Sequence, residues 1–230
     1  MYDLKTFRFV RGSHKTREDG LCVMEAVAYL AGEPHSDHPA CACPVITALA
    51  IWLNDSADDE LRQTLLAEMP WRIVGTKAAP EIEERRAYMA VDWSVRVICP
   101  SALRRLGLDA EAAALESLAE IDEARAGAAC DAMINWTRAA ECAVRAADSR
   151  KGNNAAQAVC EASYAASAMH CGCDSVAMMH VSCALRTAVL WANSADFLSL
   201  IESCAALLDC MIRMTEPQER TLPIREEAKR

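Results

Sequence analysis

The sequence predicts an all-α protein built as a multi-helix bundle. Three features of its composition point that way. Apolar residues make up 53% of the 230-residue chain, yet aromatic residues make up only 5%, because alanine supplies much of the apolar content. Alanine is the best helix former and lets helices approach closely. Only 8 glycines and 8 prolines are present, which is fewer turn residues than a sandwich or barrel needs.

The first half, residues 1–108, is predicted to be an N-terminal helical subdomain. Asp19 is the expected N-cap of its first helix, and Gly32 is the expected residue just after that helix. Ser56 and Asp59 have the spacing of a capping box, which predicts a further helix start. The helices expected in this half cover residues 21–31, 45–53, 57–68 and 80–99.

The second half, residues 109–214, is predicted to be an Ala/Cys-rich antiparallel helical bundle, followed by a charged, flexible tail at 215–230. A break between helices is expected at Lys151–Gly152–Asn153. Expected helices cover residues 109–119, 124–148, 154–170, 174–193 and 195–213. Six cysteines of this half are expected to be small, buried core residues on helices: Cys130, Cys142, Cys160, Cys183, Cys204 and Cys210.

Charge and cysteine usage restrict the class of protein. The formal net charge of −9 repels phosphate backbones, so a nucleic-acid partner is not expected. No uncharged apolar run is long enough for a membrane span, and the N-terminal residues do not resemble a signal peptide. Twelve cysteines in such a chain are expected to be reduced, which favours a cytoplasmic location.

Chemistry-bearing residues concentrate between Cys22 and Cys43. The pattern allows a zinc site in which Cys22, His38, Cys41 and Cys43 supply four ligands. A metal would tie down the proline-rich loop 33–44, although Cys-x-Cys is not the usual zinc-knuckle spacing.

Two other interpretations of this segment stay open. Cys22, in the first turn of a helix whose N-terminus lowers a thiol pKa, would be a nucleophile with His38 as its base. Asp37 or Glu25 would then orient the imidazole ring. The plainer alternative is a structural loop, in which Cys22 is buried, Glu25 bonds backbone amides and Asp37 caps a turn.

A second cluster is His170-Cys171-Gly172-Cys173-Asp174. A helix–turn–helix corner is its simplest interpretation. A metal site formed there, or shared with Cys41 and Cys43, is the alternative.

Three stretches resemble a family of uncharacterised proteins found in bacteriophages and actinobacterial genomes. They are GSHKTREDGLCVMEAVAYLAGEPHSDHPACACPV (12–45), IVGTKAAPEIEERRAYMAVDW (73–93) and ICPSALRRLGL (98–108). The resemblance covers roughly residues 1–110 and implies no established activity. Family members often carry an aromatic residue at the position of His35, which argues against His35 as a ligand.

Taken together, these features predict a phage-type accessory protein that acts through protein–protein contact with a host or phage protein. A homodimer is also expected, because alanine-faced helices suit self-association. A structural zinc ion is the cofactor that the N-terminal loop would hold. The alternative is a small hydrolase or transferase that uses Cys22 with His38, or a zinc-bound water near Glu25.

Overall fold

The computed structural model of the protein describes residues 8–147, 150–191 and 194–215. All regular elements within these ranges are helical, which confirms the predicted all-α fold. None of the described helices is long and apolar enough to cross a membrane. The α-helices are α1 (Val23–Ala31), α2 (Pro44–Ser56), α3 (Asp59–Leu66), α4 (Met69–Ile73), α5 (Pro80–Trp93), α6 (Cys99–Arg105), α7 (Asp109–Glu116), α8 (Ala126–Ala147), α9 (Arg150–His170), α10 (Asp174–Trp191) and α11 (Ser194–Arg213).

The chain divides into two compact units. The first contains residues 1–83 and 201–230, and the second contains residues 84–200. The sequence led us to expect a boundary near residue 108 instead. The difference arises because α6 packs against α7 and α9, so the chain from residue 84 onward belongs with the alanine-rich helices. Of the predicted tail, residues 216–230 lie outside the described part of the chain.

In the first unit, α1 is almost entirely buried and packs against α2 and α4. Gly32 follows the helix in the left-handed conformation, as predicted. The predicted N-cap was wrong: Cys22, not Asp19, caps α1. The Asp19 carboxylate is already used in the preceding turn, where it accepts hydrogen bonds from the backbone N–H and the hydroxyl of Thr16.

The predicted capping box of Ser56 and Asp59 was also wrong. Ser56 is the last residue of α2, so it does not open the next helix. Asp58 caps α3 instead, and its carboxylate accepts from the backbone N–H of Leu61 at 2.9 Å. The next helix, α4, is short and has Pro70 in its first turn, where a proline is tolerated because its missing N–H has no partner inside the helix.

The second unit is built around α9, which packs against α8, α10 and α6. The expected break at residues 151–153 was wrong, because α9 already begins at Arg150. Between α5 and α6, Ser94–Ile98 form a π-helical segment that packs against α9 and α10. The buried faces of α9 and α10 are mostly alanine: Ala155, Ala158, Ala162, Ala165, Ala166, Ala177, Ala184 and Ala188. These small residues line the helix contacts inside the unit.

The expectation of buried cysteines holds for one of the six named positions. Cys204 is buried, Cys130, Cys160 and Cys183 are half-buried, and Cys142 and Cys210 are exposed. The buried helix faces carry alanine at the positions where the chain packs most closely, so most cysteines fall outside them. The twelve cysteines all lie in the described part of the chain, and none of them forms a disulfide there.

Candidate functional site

The N-terminal end of α1 is organised around the carboxylate of Glu25, which is 1% exposed. Its Oε2 atom accepts hydrogen bonds from the backbone N–H of Cys22 at 2.7 Å and from His14 Nδ1 at 2.9 Å. Its Oε1 atom accepts from the backbone N–H of His14 at 2.6 Å. The Cys22 sulfur accepts in turn from the backbone N–H of Glu25, which completes a capping box.

The side chains of His14 and His35 both lie next to the Glu25 carboxylate. His35 Nε2 lies 3.0 Å from the backbone oxygen of His14 and 3.5 Å from Glu25 Oε1. The other ring nitrogen of His35, Nδ1, is buried without a hydrogen-bond partner. The ring nitrogen of His14 that does not contact Glu25 is Nε2. That nitrogen faces Gly20 so closely that a Cβ atom there would approach it to 2.9 Å.

The sequence did not single out His14. Its partner lies eleven residues further along the chain, so no helical or loop spacing links the two side chains. His35 was set aside on the strength of the resemblance, yet it contacts this centre. The signal that could have found both is the buried position of Glu25, since a buried carboxylate needs donors from elsewhere in the chain.

The thiol of Cys22 is not activated as a nucleophile, because its pKa is raised and not lowered. Burial raises its pKa to about 12, and the neighbouring Glu25 carboxylate adds to the effect. The expected lowering of this pKa by the helix N-terminus is therefore wrong, because desolvation of the thiolate outweighs the hydrogen bonds from backbone amides. The thiol is protonated at neutral pH.

Asp37 and His38 form a pair of their own on the surface. Asp37 Oδ1 lies 2.8 Å from His38 Nδ1, and the His38 side chain is 71% exposed. Ser36 accepts from the backbone N–H of His38 at 3.0 Å, which fixes the turn. Here Asp37 orients an imidazole ring, one of the roles considered for it in the nucleophile interpretation.

Cys41 and Cys43 are buried where the loop joins α2. The Glu33 carboxylate accepts from the backbone N–H groups of Ala40 and Cys41 at 2.7 and 2.8 Å, and so closes the loop. Burial raises the pKa of Cys41 to about 11. The backbone N–H of Cys43 donates to the hydroxyl of Thr76 at 3.2 Å. These contacts give the loop the hydrogen bonds that its structural interpretation required.

Among the side chains that the structure describes, no group of three or more His, Cys, Asp or Glu residues has an arrangement able to hold a metal ion. The zinc site of Cys22, His38, Cys41 and Cys43 stays a prediction. If it forms, the thiols of Cys22 and Cys41 must lose their protons, although burial raises their pKa values to about 12 and about 11.

A different surface stands out in the second unit, along the outer face of α10. Val176, Met179 and Leu190 are 42%, 54% and 60% exposed. An α-helix turns by about 100° per residue, so these three lie within a narrow arc, together with half-buried Cys183 and Thr187. We call these five residues the α10 stripe. It lies opposite the buried face of the helix.

Tyr164 of α9 extends this apolar surface and is 54% exposed. Its ring centroid lies 5.2 Å from that of His180, which is itself bonded through Nδ1 to Glu161 at 2.7 Å. Large apolar side chains clustered on an outer surface are typical of a binding surface. Sequence reasoning did not find this face.

No known protein family, curated protein or solved structure matches the chain. The fold and the geometry described above are therefore the basis for assigning a function.

Proposed function

We propose that this protein is a non-enzymatic accessory protein that acts through protein–protein contact, and that the α10 stripe is its contact surface. The observation that supports the proposal is the exposure of Val176, Met179 and Leu190 on one helix face. Exposed apolar side chains gain free energy when a partner removes them from water. The resemblance of residues 12–45 to bacteriophage proteins supports a phage-type role.

A second copy of the chain is the partner that the stripe fits best. In a two-fold contact both copies use the same patch, so a patch with charges of only one sign meets a patch of that same sign. The chain as a whole carries a formal charge of −9, which opposes self-association over most of its surface. None of the five residues of the α10 stripe carries a carboxylate, so two copies can join there without that repulsion. The exposed Arg186 at the edge of the stripe faces position 180 of the other copy, not its own counterpart, if the two helices pair antiparallel about Cys183.

The midpoint of the stripe gives the geometry of this contact. Cys183 lies seven residues after Val176 and seven before Leu190. If two α10 helices pair antiparallel about a two-fold axis, that axis passes close to Cys183. Val176 of one copy then lies near Leu190 of the other, and Met179 packs beside the half-buried Thr187. The alanine faces expected to mediate association are used inside the unit instead.

The alternative, a hydrolase or transferase, has weaker support. The pKa of Cys22 is raised to about 12, which leaves little thiolate at neutral pH. Both carboxylate oxygens of Glu25 already accept hydrogen bonds from backbone N–H groups. A general base must also reach a proton on a substrate or a bound water, and the Glu25 side chain is only 1% exposed.

Sedimentation equilibrium of the full chain tests the proposal. We expect a mass that rises with concentration towards twice the 25.1 kDa of one chain. Met179→Glu places a charge in each half of the contact and should weaken the dimer at least about 30-fold, the effect of a 2 kcal/mol hot spot. Ala128→Glu adds the same charge at an exposed position of α8 and should leave the dimer intact.

Two results would overturn the proposal: a single-chain mass at every concentration, or equal dissociation constants for the Met179→Glu and Ala128→Glu proteins. Circular dichroism of both variants shows whether the helices are retained.

Elemental analysis of the same preparations tests the zinc prediction separately. About one zinc ion per chain is expected if Cys22, His38, Cys41 and Cys43 bind it.

A further inference from the structure

The turn between α9 and α10 presents a pair of cysteines to solvent. α9 ends at His170 and α10 begins at Asp174, which leaves Cys171, Gly172 and Cys173 as the connection. All three residues are exposed, and both thiols are free. Neither the contact surface on α10 nor the Glu25 centre uses them. A pair of exposed thiols separated by one residue is a reactive feature that packing does not require.

Backbone hydrogen bonds hold this turn in one conformation. The N–H of Gly172 donates to the carbonyl of Met169 at 2.9 Å, and the N–H of Cys173 donates to the carbonyl of Ala168 at 2.8 Å. This pair of bonds defines the Schellman motif, and it needs a left-handed residue after the helix. Gly172 supplies that residue with φ = 69°. The two cysteines therefore flank a fixed glycine and do not lie on a flexible loop.

The thiols lie on the same small piece of surface. The Cys173 thiol folds back over the turn, and its sulfur lies 3.7 Å from the backbone oxygen of Cys171. The backbone from residue 171 to residue 173 spans at most about 7 Å even when extended, and the turn makes it shorter. The two Cα atoms are therefore close enough for one ion to bridge both sulfur atoms if the Cys171 side chain rotates toward Cys173.

We propose that Cys171 and Cys173 form a binding site for a soft monovalent cation of the copper(I) class. Thiolate sulfur selects soft ions such as Cu(I), and Cu(I) is satisfied by two thiolates in a near-linear arrangement. Zinc instead needs four ligands, and the part of the chain described here contains no metal-holding group of three or more His, Cys, Asp or Glu residues. Two ligands on one turn thus match the coordination of the monovalent ion.

The binding step is balanced without a redox partner. Each thiol loses its proton to solvent, and two sulfur–copper bonds replace the bonds between copper and the solvent or chelator ligands that held it before. The copper stays in the +1 state, so no electron is transferred, and the bis-thiolate complex carries a net charge of −1.

The test is an anaerobic titration of the reduced, full-length protein with Cu(I) in competition with a chromophoric Cu(I) chelator. We expect one tightly bound copper per chain. Cys171→Ser and Cys173→Ser should each weaken binding by about 100-fold or more, because loss of an outer-sphere partner alone costs 10–100-fold. The control is Cys142→Ser/Cys210→Ser, which removes two other exposed thiols and should bind copper like the wild type.

Circular dichroism accompanies each titration, since these positions are exposed and the helices should be retained. The proposal fails if the wild type does not withdraw copper from the chelator. It also fails if Cys171→Ser/Cys173→Ser binds as tightly as the wild type. Equal losses in that variant and in the Cys142→Ser/Cys210→Ser control would show unselective binding to surface thiols, which equally overturns it. These outcomes do not depend on whether the protein dimerises.

Discussion

Replacing Glu25 by glutamine should destabilise the protein far more than any surface carboxylate replacement. The carboxylate accepts from the backbone N–H of His14 on Oε1 and from that of Cys22 on Oε2. A glutamine keeps one acceptor oxygen, and its NH₂ group must face one of these two donors. One orientation leaves the backbone N–H of His14 without an acceptor and the other leaves that of Cys22 without one, around a side chain that is only 1% exposed.

The magnitude follows from these contacts. An unsatisfied buried donor costs about 1–3 kcal/mol. The remaining hydrogen bonds lose their ionic character, and charge-assisted bonds are roughly twice as strong as neutral ones. We therefore expect Glu25→Gln to lower the free energy of unfolding by about 2–4 kcal/mol, a large part of the 5–15 kcal/mol typical of a domain.

Urea denaturation followed by circular dichroism measures this loss, and hydrogen exchange of the α1 amides locates it. The matched control is Glu60→Gln, which makes the same change in the first turn of α3, where the residue is exposed. That control should change stability by no more than about 0.5 kcal/mol. If Glu25→Gln and Glu60→Gln unfold at the same urea concentration, with equal m values, then the carboxylate does not organise this end of α1.

Two further outcomes are expected in the first unit. Arg62→Met should lower the free energy of unfolding, measured by urea denaturation, by about 2–4 kcal/mol. The buried guanidinium donates at 2.6 Å to each of two carbonyls at the end of α2, and both carbonyls would lose this donor. A loss below about 1 kcal/mol would contradict this prediction. Between pH 9.0 and about 12 the unfolded chain releases the Cys22 proton while the folded chain keeps it, so the free energy of unfolding should fall as pH rises through that range. Cys22→Ala should flatten this decline relative to the exposed-site control Cys210→Ala, and an unchanged slope would count against the raised pKa.

The fold was predictable to the extent that it depends on local sequence. Alanine content and 3.6-residue periodicity indicated helices, and the left-handed glycine after α1 was identified at Gly32. Capping was harder to predict because several polar residues compete near each helix start. Asp19 has the better capping side chain, but its carboxylate already accepts hydrogen bonds from Thr16, and Cys22 caps the helix instead. The turn that precedes the helix therefore decides which of these two residues caps it.

The candidate sites include contacts and surfaces that the sequence alone did not predict. Glu25 was recognised because it lies one helical turn after Cys22, but His14 was not, since its contact depends on how the N-terminal segment folds back. The α10 stripe was missed for a packing reason. Val176, Met179 and Leu190 are larger and more apolar than the alanines on the other face, yet the alanine face is the buried one. Close helix approach favours small residues, so hydrophobicity alone selects the wrong face.

The most direct test of the proposed contact is to identify which residues of two chains meet across it. Equal amounts of ¹⁴N- and ¹⁵N-labelled protein are mixed, treated with a short bis-maleimide cross-linker and digested for mass spectrometry. We predict mixed-isotope cross-links that join Cys183 of one chain to Cys183 of another and that are absent from the Met179→Glu protein. Mixed-isotope links only at Cys142 and Cys210, with Cys183 unlinked, would contradict the account.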